Sequence, residues 1–448
     1  MKYVDTAVIG GGILGCMTAR NLRRWNISTA LVEKEDDVCR GITRANSAIV
    51  YAGYDNKPET RKAGLTVRGN ADMGRLCAEL EVPFSRCGSL LVTYDEASVS
   101  HLEKKLQNGI RNGVPGLRLM NGAEAEVMEP MLKKGVAAAL YAPTTGTVNP
   151  WQLGIAAYEN AVQNGAQAML QTEVFGIRRA GDGYILETSK ETIHCKMVFN
   201  CAGLSADRVQ ELCFPPDIRL EPDGAEYLVL DNLAHKPERV IFHQASTCGK
   251  GITAVPCVEG NLLISGVRKP MSDPFATTAE GLEALHQAAK ELLPELELDQ
   301  VIRSFGAVRP NPCRESGESL HDFCIANPGP GFYSLIGIKT PGLTCANELG
   351  MVLARRAAEY LGAEVNRSFE PRRAAIGKRS EPDYHEIVCR CGKITRGEIL
   401  EAIGRGARTV EGVKRRLGTG MGRCQGGRCG WRIARILKET GANPDPIF

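Results

Sequence analysis

The chain has 448 residues and a formal net charge of +3, with 43% hydrophobic and 24% charged residues. This length exceeds what one compact core holds and predicts two or three domains of ordinary globular composition. No apolar run reaches membrane-spanning length, and a strand pattern follows Met1 directly, so we expect neither membrane insertion nor a signal peptide. We therefore expect a cytoplasmic protein whose sixteen cysteines are free thiols or metal ligands.

Residues 4–33 read as a strand, a glycine-rich turn, an amphipathic helix and a second strand that ends in an acidic residue. Gly10, Gly12 and Gly15 have the spacing G-x-G-x-x-G at the strand-to-helix junction. In this motif the glycines make the turn, admit a pyrophosphate to the helix N-terminus and allow close helix-sheet packing. Glu33 ends the second strand, where its carboxylate can accept the ribose hydroxyls. The pattern predicts a dinucleotide-binding domain.

Four further stretches bear on which dinucleotide binds: CRGITRANSAIVYAGYD (39–55), VFNCAGLSAD (198–207), FGAVRPNP (305–312) and GIKTPGLTCANELG (337–350). They resemble the D-amino-acid-oxidase-like superfamily, particularly its glycerol-3-phosphate dehydrogenase and L-2-hydroxyglutarate oxidase branch. The resemblance implies FAD. It also implies an α/β fold, with a Rossmann-like FAD-binding domain, an antiparallel-sheet substrate domain and a small helical module at the end.

The same resemblance implies the cofactor contacts. Pro341 and Gly342 would turn into a helix beginning near Thr344, whose N–H groups would stabilise the reduced, anionic flavin. The other expected FAD contacts are Lys34, Thr43, Arg44, Asn46, Ser47, Val174, Ala202, Gly203, Gly337 and Leu343.

Alternating strand patterns mark the expected substrate domain, which we place at residues 86–145 and 216–308. The FAD-binding domain would then be discontinuous, comprising residues 1–85, 146–215 and 309–365. A linker rich in Arg, Ser and Pro follows at 366–386, before a module at 387–440.

Four residues are candidate catalytic residues: two are cations, and three, including one of the cations, are possible bases. Arg309 would hold an anionic substrate group through its guanidinium fork, and Lys339 belongs to a loop expected to face the flavin. Where the branch commonly has His-Ala-Gly, this chain has Tyr51-Ala52-Gly53, so the obvious base for an alcohol is lost. Tyr51, His243 and Lys339 remain possible bases. The Pro-Arg-x-Gly-Glu-Tyr pattern is also altered, because Asp223 replaces the arginine.

The C-terminal module carries Cys389-x-Cys391 and, thirty-two residues later, Cys424-x4-Cys429. Four thiolates on two glycine-bracketed loops can hold a 2Fe-2S cluster. The segment resembles the bacterioferritin-associated-ferredoxin type of 2Fe-2S domain. Structural zinc is the alternative, although zinc sites usually present C-x2-4-C pairs.

Residues 385–448 contain 13 Lys and Arg against 6 acidic residues, so the segment carries 13 − 6 = +7. These basic residues would offset the cluster or dock an acidic partner, and we do not expect nucleic acid.

Together these features predict an FAD-dependent dehydrogenase of a small anionic substrate, either a 2-hydroxyacid or a polyol phosphate such as glycerol 3-phosphate. Hydride would reduce FAD, and electrons would leave singly through the cluster to a partner subunit, either an NAD-linked flavoprotein or a quinone-linked protein. An amino-acid or secondary-amine dehydrogenase stays open, because a neutral amine needs no base. An oxygen-using oxidase and a non-catalytic iron–sulfur sensor are further alternatives.

Overall fold

The computed structural model describes residues 1–215, 217–245, 249–266, 273, 275–377 and 380–442. Their strands are β1 (Lys2–Ile9), β2 (Thr29–Val32), β3 (Ile49–Val50), β4 (Phe84–Ser85), β5 (Ser89–Thr93), β6 (Arg118–Asn121), β7 (Ala138–Ala142), β8 (Gly146–Val148), β9 (Gln167–Met169), β10 (Val174–Ala180), β11 (Gly183–Thr188), β12 (Ile193–Asn200), β13 (Ile218–Leu230), β14 (Val240–Ala245), β15 (Gly249–Pro256), β16 (Leu262–Ser265), β17 (Val301–Arg314), β18 (Cys324–Gly329), β19 (Phe332–Ile336), β20 (Ile387–Cys389) and β21 (Ile394–Thr395). Their α-helices are α1 (Ile13–Leu22), α2 (Arg61–Leu80), α3 (Val99–Arg111), α4 (Gly122–Met128), α5 (Pro150–Gln163), α6 (Ala206–Glu211), α7 (Ala279–Leu292), α8 (Gly342–Leu361), α9 (Arg396–Gly404), α10 (Val410–Leu417) and α11 (Gly430–Glu439).

The first sheet has the order β10-β11-β12-β1-β2-β9, and β19 pairs with β12. Strands β9, β2, β1, β12 and β19 run parallel to one another, so their carboxyl ends share one edge, whereas β11 and β18 are antiparallel to β12 and β19. β2 is buried along its whole length, as expected of a strand covered on both faces. Helices α5 and α8 pack against α1. Ligands of such sheets bind beyond the carboxyl ends of the strands, and the candidate site lies at this edge.

The second sheet has the order β17-β13-β16-β15-β14-β5-β7-β6. Its pairs are antiparallel, as the alternating patterns predict, except that β14 runs parallel to β5. The long β13–β17 pair extends from Ile218 opposite Arg314 to Leu230 opposite Val301. The expected domain boundary between residues 308 and 309 falls inside β17, so this strand reaches from the substrate sheet into the wall of the cavity.

The C-terminal module packs α9, α10 and α11 around a small core that includes Val388, Ile399, Ile433 and Leu437. Thr395 and Glu398 form the predicted capping box at the start of α9. The last helix begins at Gly430, directly after Cys429, as the sequence pattern indicates.

The segment that enters the module lies along the first sheet's helices. The Asn366 N–H donates to the Arg24 carbonyl and the Arg373 N–H donates to the Glu79 carbonyl, each at 2.9 Å. In the part of the chain that the structure describes, no helix combines the length and the apolar character needed to cross a bilayer.

Candidate functional site

A cavity of about 1730 Å³, part of it open to solvent, lies at the carboxyl edge of the first sheet and beneath the second. Most of the predicted site residues line it: Gly10, Gly12, Glu33, Lys34, Thr43, Arg44, Asn46, Ser47, Ala202, Gly203, Gly342 and Leu343, with Tyr51, Arg309 and Lys339. Four distant stretches of the chain therefore meet in one place. Gly15, Val174, Gly337, Thr344 and His243 do not line the cavity.

The glycine loop after β1 forms a close-packed cradle. Gly10 has φ +101°, and a Cβ there would lie 2.6 Å from the Cys201 carbonyl oxygen. A Cβ on Gly15 would lie 1.8 Å from the Gly10 carbonyl oxygen, so a glycine at this position lets α1 pack closely against the glycine loop. The Ile13 N–H at the start of α1 donates to Thr43 Oγ1 at 3.0 Å. Only glycine fits this backbone, and the cradle at the N-terminus of α1 suits a pyrophosphate.

Glu33 occupies the position that a ribose-binding acid takes at the end of β2. Its Oε1 accepts from the Glu35 N–H at 2.9 Å, and its Oε2 accepts from the Gly11 N–H. These bonds fix the carboxylate against the glycine loop, at the position where an acid of this motif can accept ribose hydroxyls.

The N-terminus of α8 points at the opposite end of the cavity. The helix begins at Gly342, two residues earlier than the sequence suggests, and Gly342 and Leu343 line the wall. Thr344 lies behind them, where its Oγ1 accepts from the Tyr51 N–H at 3.0 Å. Gly337 makes a turn with φ +65° against Pro312. Positive potential from the helix dipole suits negative charge on a reduced ring.

Two cationic side chains share the wall between the sheets. Arg309 projects from β17, opposite Asp223 on β13, and Lys339 lies on the loop before α8. Lys339 Nζ donates to the Leu320 carbonyl at 2.9 Å and is 7% exposed. Burial, and then Arg309, lower the pKa of Lys339 to about 8. The pair therefore concentrates positive charge at a partly desolvated position, as an anion-binding site requires.

Tyr51 lies on the same wall. Its hydroxyl is 3.4 Å from Ser47 Oγ, and its ring stacks on Phe242 with centroids 6.1 Å apart. The hydroxyl therefore belongs to the polar part of the cavity and the ring to its apolar floor.

His243 follows Phe242 on β14 and, because side chains alternate along a strand, lies on the opposite face of the sheet. There it meets Tyr94, with ring centroids 5.9 Å apart. Burial lowers the pKa of His243. This position corrects the expectation of a catalytic base at His243, since the side chain does not reach the cavity.

The four cysteines of the module form two pairs. Cys391 Sγ and Cys424 Sγ are 3.7 Å apart and partly accessible, whereas Cys389 and Cys429 are both buried in the module core. Two sulfurs on one tetrahedral metal lie roughly 3.8 Å apart at a metal–sulfur distance of about 2.3 Å. Among the described residues, no three His, Cys, Asp or Glu side chains are grouped around one metal-ion position. Two pairs of thiols fit a cluster with two irons better than a single zinc ion.

The loops around these thiols favour the thiolate form at one position. N–H groups of Gly426 and Arg428 hold the pKa of Cys424 below its ordinary value. Burial raises the pKa of Cys429 to about 11. Backbone N–H groups directed at sulfur are typical of anionic iron–sulfur sites.

Buried charges attach the module to the loop that follows β2, residues 33–37, which we call the FAD-site loop. Asp37, four residues after Glu33 and 1% exposed, accepts from Arg415 Nη2 and Arg416 Nη1 at 2.7 Å each. Arg416 Nε also donates to Glu159 on α5 at 3.1 Å. Burial alone would raise the pKa of Asp37, but Arg416 and Arg415 hold it below its ordinary value.

Sequence reasoning did not identify this network. We expected the arginines of the module to face the cluster or a partner, but Arg405, Arg415 and Arg416 bind acidic residues of their own chain. The acids lie far away in sequence, at Asp37 and Glu159. The only signal was the excess of basic residues in a module attached to a more acidic body.

A family model for FAD dependent oxidoreductases matches residues 5–356, and one for BFD-like [2Fe-2S] binding domains matches residues 387–439. A glycerol 3-phosphate dehydrogenase of Caloramator mitchellensis is 39% identical over 99% of this chain and 96% of its own length. The mitochondrial L-2-hydroxyglutarate dehydrogenase of Bos taurus is 32% identical over 71% of this chain and 80% of its own length.

Among solved structures, the dithionite-reduced L-α-glycerophosphate oxidase of Mycoplasma pneumoniae with FAD bound superposes with a TM-score of 0.76, at 25% identity, over 83% of this chain and 98% of that one. The cofactors of this chain are therefore FAD and a 2Fe-2S cluster. The cavity suits FAD, and the cluster belongs to the module that carries the four cysteines. The chain belongs to the FAD-dependent oxidoreductase family and ends in a BFD-like 2Fe-2S domain.

Proposed function

We propose that this enzyme is a dehydrogenase of glycerol 3-phosphate that passes electrons from FAD to its own 2Fe-2S cluster and then to a partner carrier. The observation that carries the proposal is the Arg309–Lys339 pair in the cavity wall, which suits a phosphate or carboxylate. The relative from Caloramator mitchellensis, which aligns with this chain over nearly its whole length and is named for this substrate, supports the phosphate.

The chain's own residues would act on the substrate as follows. Arg309 and protonated Lys339 would bind the anionic group, and a bidentate guanidinium would also fix its orientation. Tyr51 Oη, supported by Ser47 Oγ, would hydrogen-bond the reacting hydroxyl. The Phe242 ring beneath Tyr51 would exclude water from that end of the cavity. When bound, FAD supplies a two-electron acceptor and the cluster a one-electron carrier.

Two anchors support electron transfer within the chain. One is the buried Asp37–Arg416 contact at the FAD-site loop. The other is Arg423, next to Cys424, whose Nε lies 3.0 Å from Asp231 Oδ2 at the end of β13. The module is thus attached through α10 to the loop after β2 and through the cluster loop to the end of β13. This arrangement favours a dehydrogenase with a separate acceptor over an oxidase that uses oxygen at the flavin.

A 2-hydroxyacid is the second candidate substrate, because a guanidinium binds carboxylate as well as phosphate. The bovine L-2-hydroxyglutarate dehydrogenase supports it. We also propose a cytoplasmic location and a redox partner of the NAD-linked or quinone-linked type. The cysteines of the described residues are free thiols, which favours a reducing compartment.

The test is anaerobic mixing of the FAD- and cluster-loaded enzyme with glycerol 3-phosphate, L-2-hydroxyglutarate, glycine or proline. We expect glycerol 3-phosphate to bleach the flavin, followed by the electron paramagnetic resonance signal of a reduced 2Fe-2S cluster. Arg309→Gln should raise KM for glycerol 3-phosphate by about 100-fold, since two charge-assisted hydrogen bonds are lost. Bleaching by an amino acid alone would contradict the proposal, and oxygen consumption at the full turnover rate would favour the oxidase.

A further inference from the structure

The edge of the iron–sulfur site that faces away from the module core is open to solvent. Cys389 and Cys429 are each 2% exposed, whereas Cys391 is exposed and Cys424 is half-buried. A cluster held by the four thiols therefore has one edge in the module's core and one edge, at Cys391 and Cys424, within reach of another molecule.

Three basic side chains surround this open edge. Arg390 and Lys393 flank Cys391, Arg428 precedes Cys429, and all three are exposed. They form no ion pair within the described ranges of the chain. Other basic residues of the module do form them, for example Arg396 with Asp383 and Arg423 with Asp231. Of the module's five exposed basic residues without an ion pair among the described residues, three therefore lie around the cluster edge, and Arg408 and Lys438 are the other two.

Exposed apolar surface adjoins these charges. Trp431, in the first turn of α11, is 59% exposed, and Ile387, two residues before Cys389, is 49% exposed. Arg432 Nη1 donates to the Ile387 carbonyl at 3.1 Å, which ties this turn of α11 to β20. Tryptophan and arginine are the residues most enriched where proteins bind each other tightly. We call the surface of Arg390, Cys391, Lys393, Arg428 and Trp431 the cluster-edge face.

Another part of the module is already occupied, because Arg415 and Arg416 dock it on the FAD-site loop. Cys391 is the most exposed of the four cysteines, so its side of the cluster is the one open to a second protein. We propose that the cluster-edge face docks an acidic electron-carrier protein, which covers Trp431 and takes one electron from the cluster at a time. This inference rests on the proposed function, in that it assigns the exit of the electrons.

The charge requirement decides the class of partner. A basic ring steers negatively charged partners and repels positive ones, and such steering changes association rates by about 10- to 1000-fold at low ionic strength. The Debye length shrinks from about 30 Å at 0.01 M salt to about 3 Å at 1 M, so the preference must disappear at high salt. A non-specific contact with Trp431 alone would show neither property.

The experiment uses two probes with the same haem and opposite charge: native cytochrome c, which is basic, and succinylated cytochrome c, which is acidic. The full-length protein is loaded with both cofactors, reduced with dithionite, desalted without oxygen and mixed with each probe. Each electron transfer oxidises one reduced cluster and converts one ferric haem to ferrous haem. Cys424→Ser protein gives the background that does not pass through the cluster.

We expect the acidic probe to be reduced at least tenfold faster than the basic one at low salt, and equally fast at high salt. Lys393→Glu and Trp431→Ala should each slow reduction of the acidic probe by about three- to tenfold. Lys104→Glu, an exposed charge reversal on α3, is the matched control and should change nothing. Iron content and the visible circular dichroism of the cluster should stay unchanged in all three variants.

Faster reduction of the basic probe at low salt, or rates in both variants equal to the unmodified protein, would overturn the inference. Because dithionite replaces the substrate, a failure of glycerol 3-phosphate to reduce the protein leaves this test intact. The failure of the proposed function and the failure of the docking face are therefore distinguishable.

Discussion

Substitution of Asp37 by asparagine tests whether buried charges hold the cluster module on the FAD-binding domain. Asp37 accepts from Arg415 Nη2 and Arg416 Nη1 at 2.7 Å and from Arg416 Nη2 at 3.0 Å. Asparagine keeps the volume and one acceptor oxygen but removes the negative charge. The two guanidinium groups then stay buried with less compensation.

The expected loss of docking free energy follows from the contacts that each arginine keeps in the variant. Arg416 keeps its 3.1 Å contact with Glu159. Arg415 has no other ion pair in the described part of the chain, and its Nε already lacks a hydrogen-bond partner. Removing one partner of a buried ion pair costs about 3–5 kcal/mol. Because the amide still accepts one hydrogen bond, we expect about 3 kcal/mol, or roughly a 100-fold shift toward the undocked module.

Hydrogen exchange of the α10 amides, measured by mass spectrometry, reports this equilibrium directly. Exchange of α10 should accelerate about 100-fold in Asp37→Asn, while β1 and β12 in the first sheet keep their protection. Proteolysis within 366–386 should accelerate in parallel. Glu348→Gln is the matched control, because Glu348 pairs with Arg68, whose side chain is 59% exposed, and such surface pairs are worth at most about 1 kcal/mol.

The effect should depend on pH with a defined sign. Since Arg416 and Arg415 lower the pKa of Asp37, its contribution to stability is present above the unfolded pKa of about 3.9 and is lost as pH falls through the folded value. The difference between the two proteins should therefore be constant near neutral pH and vanish in acid. Exchange of α10 within threefold of the unmodified protein at pH 7 would refute the reasoning.

Three further predictions concern the two cofactor sites and the cavity. Lys339 has a pKa of about 8, so kcat/KM of the unmodified enzyme for an anionic substrate should fall above pH 8. In Lys339→Arg the cation stays charged, and kcat/KM should stay level. A rise of kcat/KM through pH 8 in the unmodified enzyme would indicate that Lys339 acts as a base instead. Gly15→Ala places a methyl group 1.8 Å from a carbonyl oxygen and should yield protein with little bound FAD. In the control Gly404→Ala, the methyl group meets no atom within 4 Å, and the protein should retain FAD. Equal flavin content in the two variants would contradict the assignment of the glycine loop as the FAD cradle. Cys424→Ser should lose the iron but keep substrate-dependent flavin bleaching, with Cys213→Ser as control; unchanged iron would remove Cys424 from the ligand set.

The parts of this fold that local chemistry specifies were predictable from the sequence. The glycine spacing at Gly10, Gly12 and Gly15 requires a particular backbone, and the capping box at Thr395 and Glu398 marks a helix start by its own hydrogen bonds. Such signals need only neighbouring residues. The alternating strands of the second sheet were predictable for the same reason, but their order and the parallel β5–β14 pair depend on contacts distant in sequence.

His243 shows the limit for the site. A histidine on a strand beside an expected flavin is a reasonable base by residue type, yet one step along the strand separates the cavity face, where Phe242 lies, from the far face. The residue types along the strand do not determine which face of the sheet each side chain lies on. The Asp37–Arg416 contact was unpredictable for a related reason, because it joins residues that are 379 positions apart. Asp37 also ends the acidic run Glu35-Asp36-Asp37, and such a run is usually solvated surface.

The placement of charge connects these observations. The module has an excess of basic residues, and the structure divides them by face: those on α10 are buried against Asp37 and Glu159, and those around the cysteines are exposed. Buried charges fix orientation at a cost in stability, whereas exposed charges act at a distance and depend on salt. The inner face therefore suits a permanent contact, which keeps the cluster beside the FAD-site loop, and the outer face suits a transient one. The proposed route, from a bound flavin through the cluster to a separate carrier, needs one contact of each kind.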